Sequence, residues 1–222
     1  MRYLGLALYA EGPTDYYFLR PLLQRLCEDL CMRLARMPVE VSEVLALNHP
    51  SSVGTAPREV RILAAATAAR DAWTLLFVHA DGANDPRRAR EEQIDPALTA
   101  IRSQFPEDVT GIAVIPVRET EAWAIVDGDA VRQAFGTVLD NSRLGLPAST
   151  RAAEAVTDPK LALRGVLEAV DPSARRRQQR ISAYLNLLGE QVSLSCLREL
   201  PAFSRLDSEV TDALRRLQIL RG

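Results

Sequence analysis

Three apolar runs in this chain end in acid, and no other feature limits its fold so strongly. They are Leu4-Gly5-Leu6-Ala7-Leu8-Tyr9-Ala10 before Glu11-Gly12, Thr74-Leu75-Leu76-Phe77-Val78-His79-Ala80 before Asp81-Gly82, and Gly111-Ile112-Ala113-Val114-Ile115-Pro116-Val117 before Glu119 and Glu121. Each run is short, continuous and apolar, with a turn or a polar break behind it. That is the pattern of a strand buried on both faces of a parallel sheet. In an open α/β sheet the ligand sits outside the carboxyl ends of the strands. The three runs should therefore carry their acids to one edge of one sheet. Carboxylates gathered without counter-charge repel one another, and a hard divalent cation such as Mg²⁺ relieves that repulsion through oxygen ligands.

Between these runs the chain alternates. Strands are expected over residues 3–10, 39–47, 73–80 and 110–117. Phe18, Leu22, Leu26, Leu30 and Leu34 recur at helical spacing after the first strand, so a helix should reach about Arg36, with Thr14 as its N-cap. Pro21 should kink that helix or split off its first turn. Pro57 opens an alanine-rich helix to about Arg70. Residues 81–92 read as a charged loop, followed by a helix over about 96–104. The alternation implies an α/β fold with a mainly parallel four-stranded sheet flanked by helices. After residue 127 the pattern is short helices, then a loop-rich stretch over 136–158, then helix throughout. We therefore expect an α/β domain over 1–127 and an all-helical extension over 128–222.

The 222 residues are 47% hydrophobic, enough for a full core. A net charge of −2 provides no global attraction to nucleic acid or an anionic membrane, so any such contact must come from local patches. No apolar stretch approaches the ~20 residues of a membrane span. Three sparse cysteines and a start that runs directly into a strand suggest a cytoplasmic protein. Lys160 is the only lysine, and every other basic residue is arginine.

Each acidic turn also has an ordinary explanation. In Glu11-Gly12-Pro13-Thr14-Asp15 the glycine allows close backbone approach and the helix start can bind an anion, yet a capped helix beside a solvated glutamate would look the same. In His79-Ala80-Asp81-Gly82-Ala83-Asn84-Asp85, strand alternation sends residues 79 and 81 to one face, and Asp85 lies past a turn that could return it toward Asp81. Asp, Gly and Asn also serve turn geometry alone, and a lone histidine is more often packed than ligating. Glu119 and Glu121 flank a strand-to-helix turn, where either could be a metal ligand or an acid favoured by the helix dipole. Trp123 reads as core. Arg87, Arg88 and Arg90 could guide a phosphate backbone, as could the basic run Arg175-Arg176-Arg177, although a solvated helix face explains that run equally well. Cys27 and Cys31, four apart on a helix without other clustered ligands, read as core thiols.

Taken together, Glu11-Gly12-x-Thr14-Asp15, His79-x-Asp81 and Pro116-x-x-Glu119-x-Glu121-Ala122-Trp123 resemble the TOPRIM-like proteins encoded beside ATPases in bacterial defence and mobile-element loci, kin of OLD-type and RloB-type nuclease modules. Asp158-Pro159-Lys160 and Leu197-Arg198-Glu199-Leu200-Pro201-Ala202-Phe203 are similar to the helical part of that group. The resemblance implies a glutamate after the first strand and an Asp-x-Asp pair after the third, holding Mg²⁺ for phosphodiester chemistry. It thus implies a metal-dependent hydrolase of nucleic acid, DNA or RNA, working with an AAA- or ABC-type ATPase in phage defence. Glu11, Asp81 and Asp85 would be catalytic, and the same three with Glu119 and Glu121 would bind the metal. His79 departs from the pattern, standing where the first acid of the pair would be. Imidazole could shift the preference toward Mn²⁺. A site with one carboxylate fewer could also be degenerate, leaving a regulatory or binding subunit of an ATPase complex.

Overall fold

The computed structural model describes residues 1–105, 109–171 and 177–221, without the side chains of 177–180. Four strands, β1 (Arg2–Tyr9), β2 (Val39–Ala46), β3 (Leu75–His79) and β4 (Thr110–Val114), form one sheet in the order β2-β1-β3-β4. All three pairings are parallel. The α/β class and the four-stranded parallel sheet expected from the three apolar runs are what the chain forms, consistent with a TOPRIM-like fold.

The helices between strands are α1 (Pro13–Leu34), α2 (Arg58–Ala68), α3 (Pro86–Ala89) and α4 (Asp95–Gln104). After β4 come α5 (Glu121–Ala124), α6 (Gly128–Phe135), α7 (Pro159–Val170), α8 (Arg177–Gln191), α9 (Leu194–Arg198) and α10 (Pro201–Arg216). Strand alternation divides the sheet between two apolar layers. Leu4, Leu6, Leu8, Leu75, Phe77, Ile112 and Val114 face α1 and the C-terminal helices. Ala7, Leu76, Val78 and Ala113 face Ile62, Ala65 and Ala66 of α2 and Ala97, Leu98 and Ile101 of α4. The helices after residue 128 share the first of these layers. Arg25 of α1 donates to the carbonyls of Gly189 and Val192 at 2.9 and 3.0 Å, and the Trp123 and Phe203 rings meet edge to face at 5.3 Å.

Several local expectations change. α1 is one continuous helix with Pro21 inside it. A Cβ on Gly189 would meet the Pro21 ring at 2.7 Å, so the glycine on α8 makes room for a proline within a packed helix. The N-cap of α1 is Gly12 and not Thr14, because the Asp15 carboxylate accepts from the Gly12 N–H at 2.9 Å. The charged stretch after β3 is loop only through Asp85. Asp85 caps α3, accepting from Arg88 N–H at 3.0 Å, Pro86 takes the first helical position, and a π-helical turn over Arg90–Ile94 leads into α4. β4 ends at Val114, which leaves Pro116 and Val117 as loop. Cys27, Cys31 and Trp123 are buried, as core residues should be.

Candidate metal centre

The carboxyl ends of β1, β3 and β4 meet at one place, and His79 ties them together. It is the last residue of β3 and fully buried. The Glu11 N–H, just past β1, donates to its Nδ1 at a long 3.5 Å, and its Nε2 pairs with the Thr120 hydroxyl, past β4, at 3.0 Å. An imidazole can accept on one nitrogen and donate on the other, which a carboxylate at this position could not do.

Carboxylates flank both nitrogens. Asp15 Oδ2 lies 3.7 Å from His79 Nδ1, and Asp81 Oδ1 lies 3.5 Å from Nε2. Asp15, His79 and Asp81 each offer a ligand atom, and these atoms lie within 4.8 Å of one another. This Asp-His-Asp group could hold a metal ion. Glu11 joins it through Oε2, which accepts from the Asp81 N–H at 3.2 Å.

The Asp81 loop is held by the loop after β4. Ala83 and Asn84, both at positive φ, donate to the carbonyls of Arg118 and Val117 at 3.3 and 3.0 Å. A Cβ on Gly82 would fall 2.2 Å from the Pro116 carbonyl oxygen. Only glycine allows that approach, so Gly82 sets where Asp81 stands relative to Glu119 and Glu121.

The last two acids differ in environment. Glu119 accepts from Lys160 Nζ at 2.9 Å, and the same ammonium is 4.0 Å from Asp81 Oδ2. Burial works against the Lys160 charge, but the Glu119 hydrogen bond and the charges of Glu121, Glu119 and Asp81 outweigh it and raise the pKa above the usual lysine value. Glu121 is 5% exposed. Burial pushes its pKa up to about 7; Lys160 acts against this, and the charges of Asp15 and Glu119 add to it. Two oxygens here are buried without a hydrogen-bond partner, Asp81 Oδ1 and Glu121 Oε2. Orphaned carboxylate oxygens are costly in a folded interior, and both fit the oxygen-rich donor set of a divalent cation.

The structure therefore gathers Glu11, Asp81, Glu119 and Glu121 at one sheet edge. Asp85 is exposed and engaged as the α3 cap. Arg88 pairs with Glu92 at 2.9 Å, Arg90 is taken up by Glu209 and Asp95, and Arg87 remains exposed on α3. Arg175 and Arg176 lie outside the described residues, as does the side chain of Arg177. Two participants were not among the site residues expected from sequence. Asp15 reads as an acid of the first helical turn, and only its place three residues after a glycine cap hints that it turns back. Lys160 reads as a surface residue at a helix start, although being the only lysine, behind the Asp158 cap that fixes α7, set it apart.

No helix among the described residues is long and apolar enough to cross a membrane. Compared with family models, curated proteins and solved structures, the chain has no match.

Proposed function

We propose that the chain is a divalent-metal-dependent nuclease or phosphotransfer enzyme of the TOPRIM-like kind, acting on DNA or RNA with an ATPase partner in a bacterial defence or mobile-element system. The observation that carries this is the group of Asp15, His79 and Asp81, whose ligand atoms lie within 4.8 Å of one another, with Glu11 bonded to the Asp81 N–H, Glu121 close enough to feel the Asp15 charge, and two buried carboxylate oxygens, of Asp81 and Glu121, without partners. Asp15, Asp81 and Glu121 would hold the metal, Mg²⁺ or, given the imidazole, Mn²⁺, and His79 would join them only by exchanging one of its ring hydrogen bonds for the ion. The ion would supply Lewis acidity toward a phosphoryl oxygen.

The protein's own groups would do the rest. Glu11, exposed at the rim, is placed to take a proton from the attacking hydroxyl or water. His79 and the Asp81 N–H fix that rim from behind. Lys160 is placed to leave Glu119 and meet the charge that grows on the phosphate. The test is cleavage of single- and double-stranded DNA and RNA with Mn²⁺, with and without the ATPase partner. Glu11→Ala and Asp81→Asn should each remove nearly all of it. Wild-type cleavage by either variant would end the assignment.

One observation favours a different role, a catalytically degenerate regulatory subunit of an ATPase complex. Lys160 already provides positive charge to Glu119 and Asp81, so the acids have an internal counter-charge without any ion. Metal binding separates the two roles.

A further inference from the structure

On the other side of Glu11 from the acids lies a cleft of about 400 Å³, bounded by Tyr9, Glu11, Tyr16, His49, Arg58 and Arg61. Its chemistry is opposite to that of the metal centre. Arg58 and Arg61 are three apart in the first turn of α2, so they share one face. Arg58 Nη2 donates to the His79 carbonyl at 2.6 Å and Nε to the Gln93 carbonyl at 3.2 Å. Its guanidinium is thereby fixed at the end of β3, behind the metal group, by neutral oxygens that leave its charge uncancelled. The same group lies 5.9 Å from the centre of the Tyr9 ring. Arg61 Nε is buried with no hydrogen-bond partner among the described residues. An unsatisfied buried donor is costly, and the same arginine also lines the cleft. The start of the 22-residue α1 at Gly12 and Pro13 borders the same space, but the Asp15 carboxylate already caps its Gly12 N–H, so the positive charge of the cleft comes from the two arginines. Glu11 is the one acid among the described residues on this border, and its Oε2 is turned to the Asp81 N–H.

We propose that this cleft binds a phosphate group, the one next to the phosphate attacked at the acidic edge. Its role as a neighbouring subsite rests on the phosphodiester chemistry proposed above; phosphate binding itself does not. A strand lying across the carboxyl edge of the sheet would pass Arg61 and His49, then Glu11, then Asp81. Two guanidiniums hold one backbone phosphate, while the acids take the next through the metal. Polymer and free phosphate compounds share this chemistry, and a two-part measurement distinguishes them.

Binding is measured on the full chain carrying Asp81→Asn and without divalent ions, so that neither cleavage nor metal contributes. With a fluorescein-labelled oligonucleotide, Arg61→Gln should weaken binding about 5- to 20-fold and reduce the slope of log affinity against log salt by about 0.7–0.9, the loss of one phosphate contact. Arg33→Gln, at the opposite end of α1 and paired with Asp29, should change affinity less than about twofold. In the second part, inorganic phosphate and a nucleoside monophosphate are tested for raising the melting temperature. An Arg61-dependent effect with the oligonucleotide alone assigns the phosphate to a polymer. An Arg61-dependent effect with the small anions alone assigns it to a free phosphate compound. Either supports the phosphate site. If Arg61→Gln and Arg61→Glu both fold by circular dichroism and match the Arg61 protein in oligonucleotide affinity, salt slope and response to phosphate, the site does not exist. Cleavage is not measured here, so an inactive metal centre and an absent phosphate cleft give different results.

Discussion

Glu11 Oε2 accepts a hydrogen bond from the backbone N–H of Asp81 at 3.2 Å. Seventy positions of chain separate the two residues, and each lies just beyond its own strand. The contact exists because β1 and β3 are parallel neighbours, with Tyr9 in register with Val78. Two residues after each of those positions the chain is at Glu11 and Ala80, and one step more reaches Asp81. The acids of the two strands thus converge because of sheet register, with His79 between them as the rigid link.

The first prediction concerns metal and stability. An ion that binds only the native Asp-His-Asp group stabilises it by ~2.7 kcal/mol at a hundred times its dissociation constant, which is about 5–10 °C in melting temperature for a chain of this size. Asp81→Asn and Asp15→Asn should each abolish most of that shift. Wild-type melting curves that overlay with EDTA, Mg²⁺ and Mn²⁺ would point to the regulatory role.

The second prediction follows from Glu121. Its folded pKa of about 7 lies above the 4.5 of a free glutamate. Between those values the native state binds more protons than the unfolded chain, so Glu121 lowers stability as pH rises from about 4.5 to about 7. Its favourable contribution is complete below the unfolded value and gone above the folded one. Glu121→Gln should therefore be more stable than wild type by ~1–3 kcal/mol at pH 8 and nearly equal at pH 4, by urea unfolding without metal. Because a bound cation must displace that proton, Mn²⁺ affinity should also rise through neutral pH in wild type, and rise less in the variant. Parallel stability profiles for the two proteins would refute the buried-acid account.

Much of this arrangement could be read from the sequence, for identifiable reasons. The strands were legible because burial on both faces demands unbroken apolar runs, and parallel connection then sends their ends to one edge. That brings Glu11 and Asp81 together, while Glu119 and Glu121, five and seven residues past the end of β4, are placed by the loop packed against Gly82. Asp15 was not legible, because an acid in a first helical turn is ordinary, and whether it turns back onto Gly12 N–H depends on cap geometry. Asp85 misled for the converse reason. An aspartate before proline is equally a turn residue and an N-cap, and the cap prevailed. The contact of Lys160 with Glu119 spans 41 residues and depends on how α7 packs against α5, which no local pattern encodes.

The third prediction tests the loop that carries Asp81. Gly82→Ala places a methyl 2.2 Å from the Pro116 oxygen and 2.6 Å from that of Val117. The Val117 carbonyl cannot move without disturbing the hydrogen bond from Asn84 N–H, and the Pro116 carbonyl is only one peptide away from it. The variant should lose about 2–3 kcal/mol in denaturant unfolding and bind Mn²⁺ more weakly, since Asp81 shifts with the loop. Gly165→Ala on α7, where an added methyl meets nothing within 4 Å, is the control and should gain up to about 1 kcal/mol. Equal stability for the two variants would mean that the loop is not pinned as described.

The last prediction uses Lys160 to separate the two proposed roles. Its ammonium is 2.9 Å from Glu119 and 4.0 Å from Asp81, so it occupies positive charge space that a cation would otherwise take. At such distances one charge pair is worth up to ~4 kcal/mol at the effective dielectric of a protein surface, and partial exposure reduces it to a fraction of that. Lys160→Met keeps the length of the stem and removes the charge. In a metal-dependent enzyme the variant should bind Mn²⁺ about 3- to 30-fold more tightly, because the competing cation is gone. Its cleavage rate at saturating metal should nevertheless fall at least about tenfold, because no ammonium is left to meet the phosphate. In a regulatory subunit the same change would leave Glu119 and Asp81 without a counter-charge and lower the melting temperature, with no gain in metal affinity to offset it. Isothermal titration with Mn²⁺ beside a melting curve gives both quantities from one preparation. Tighter metal binding with slower cleavage supports the enzyme, and a melting loss with no metal binding supports the subunit.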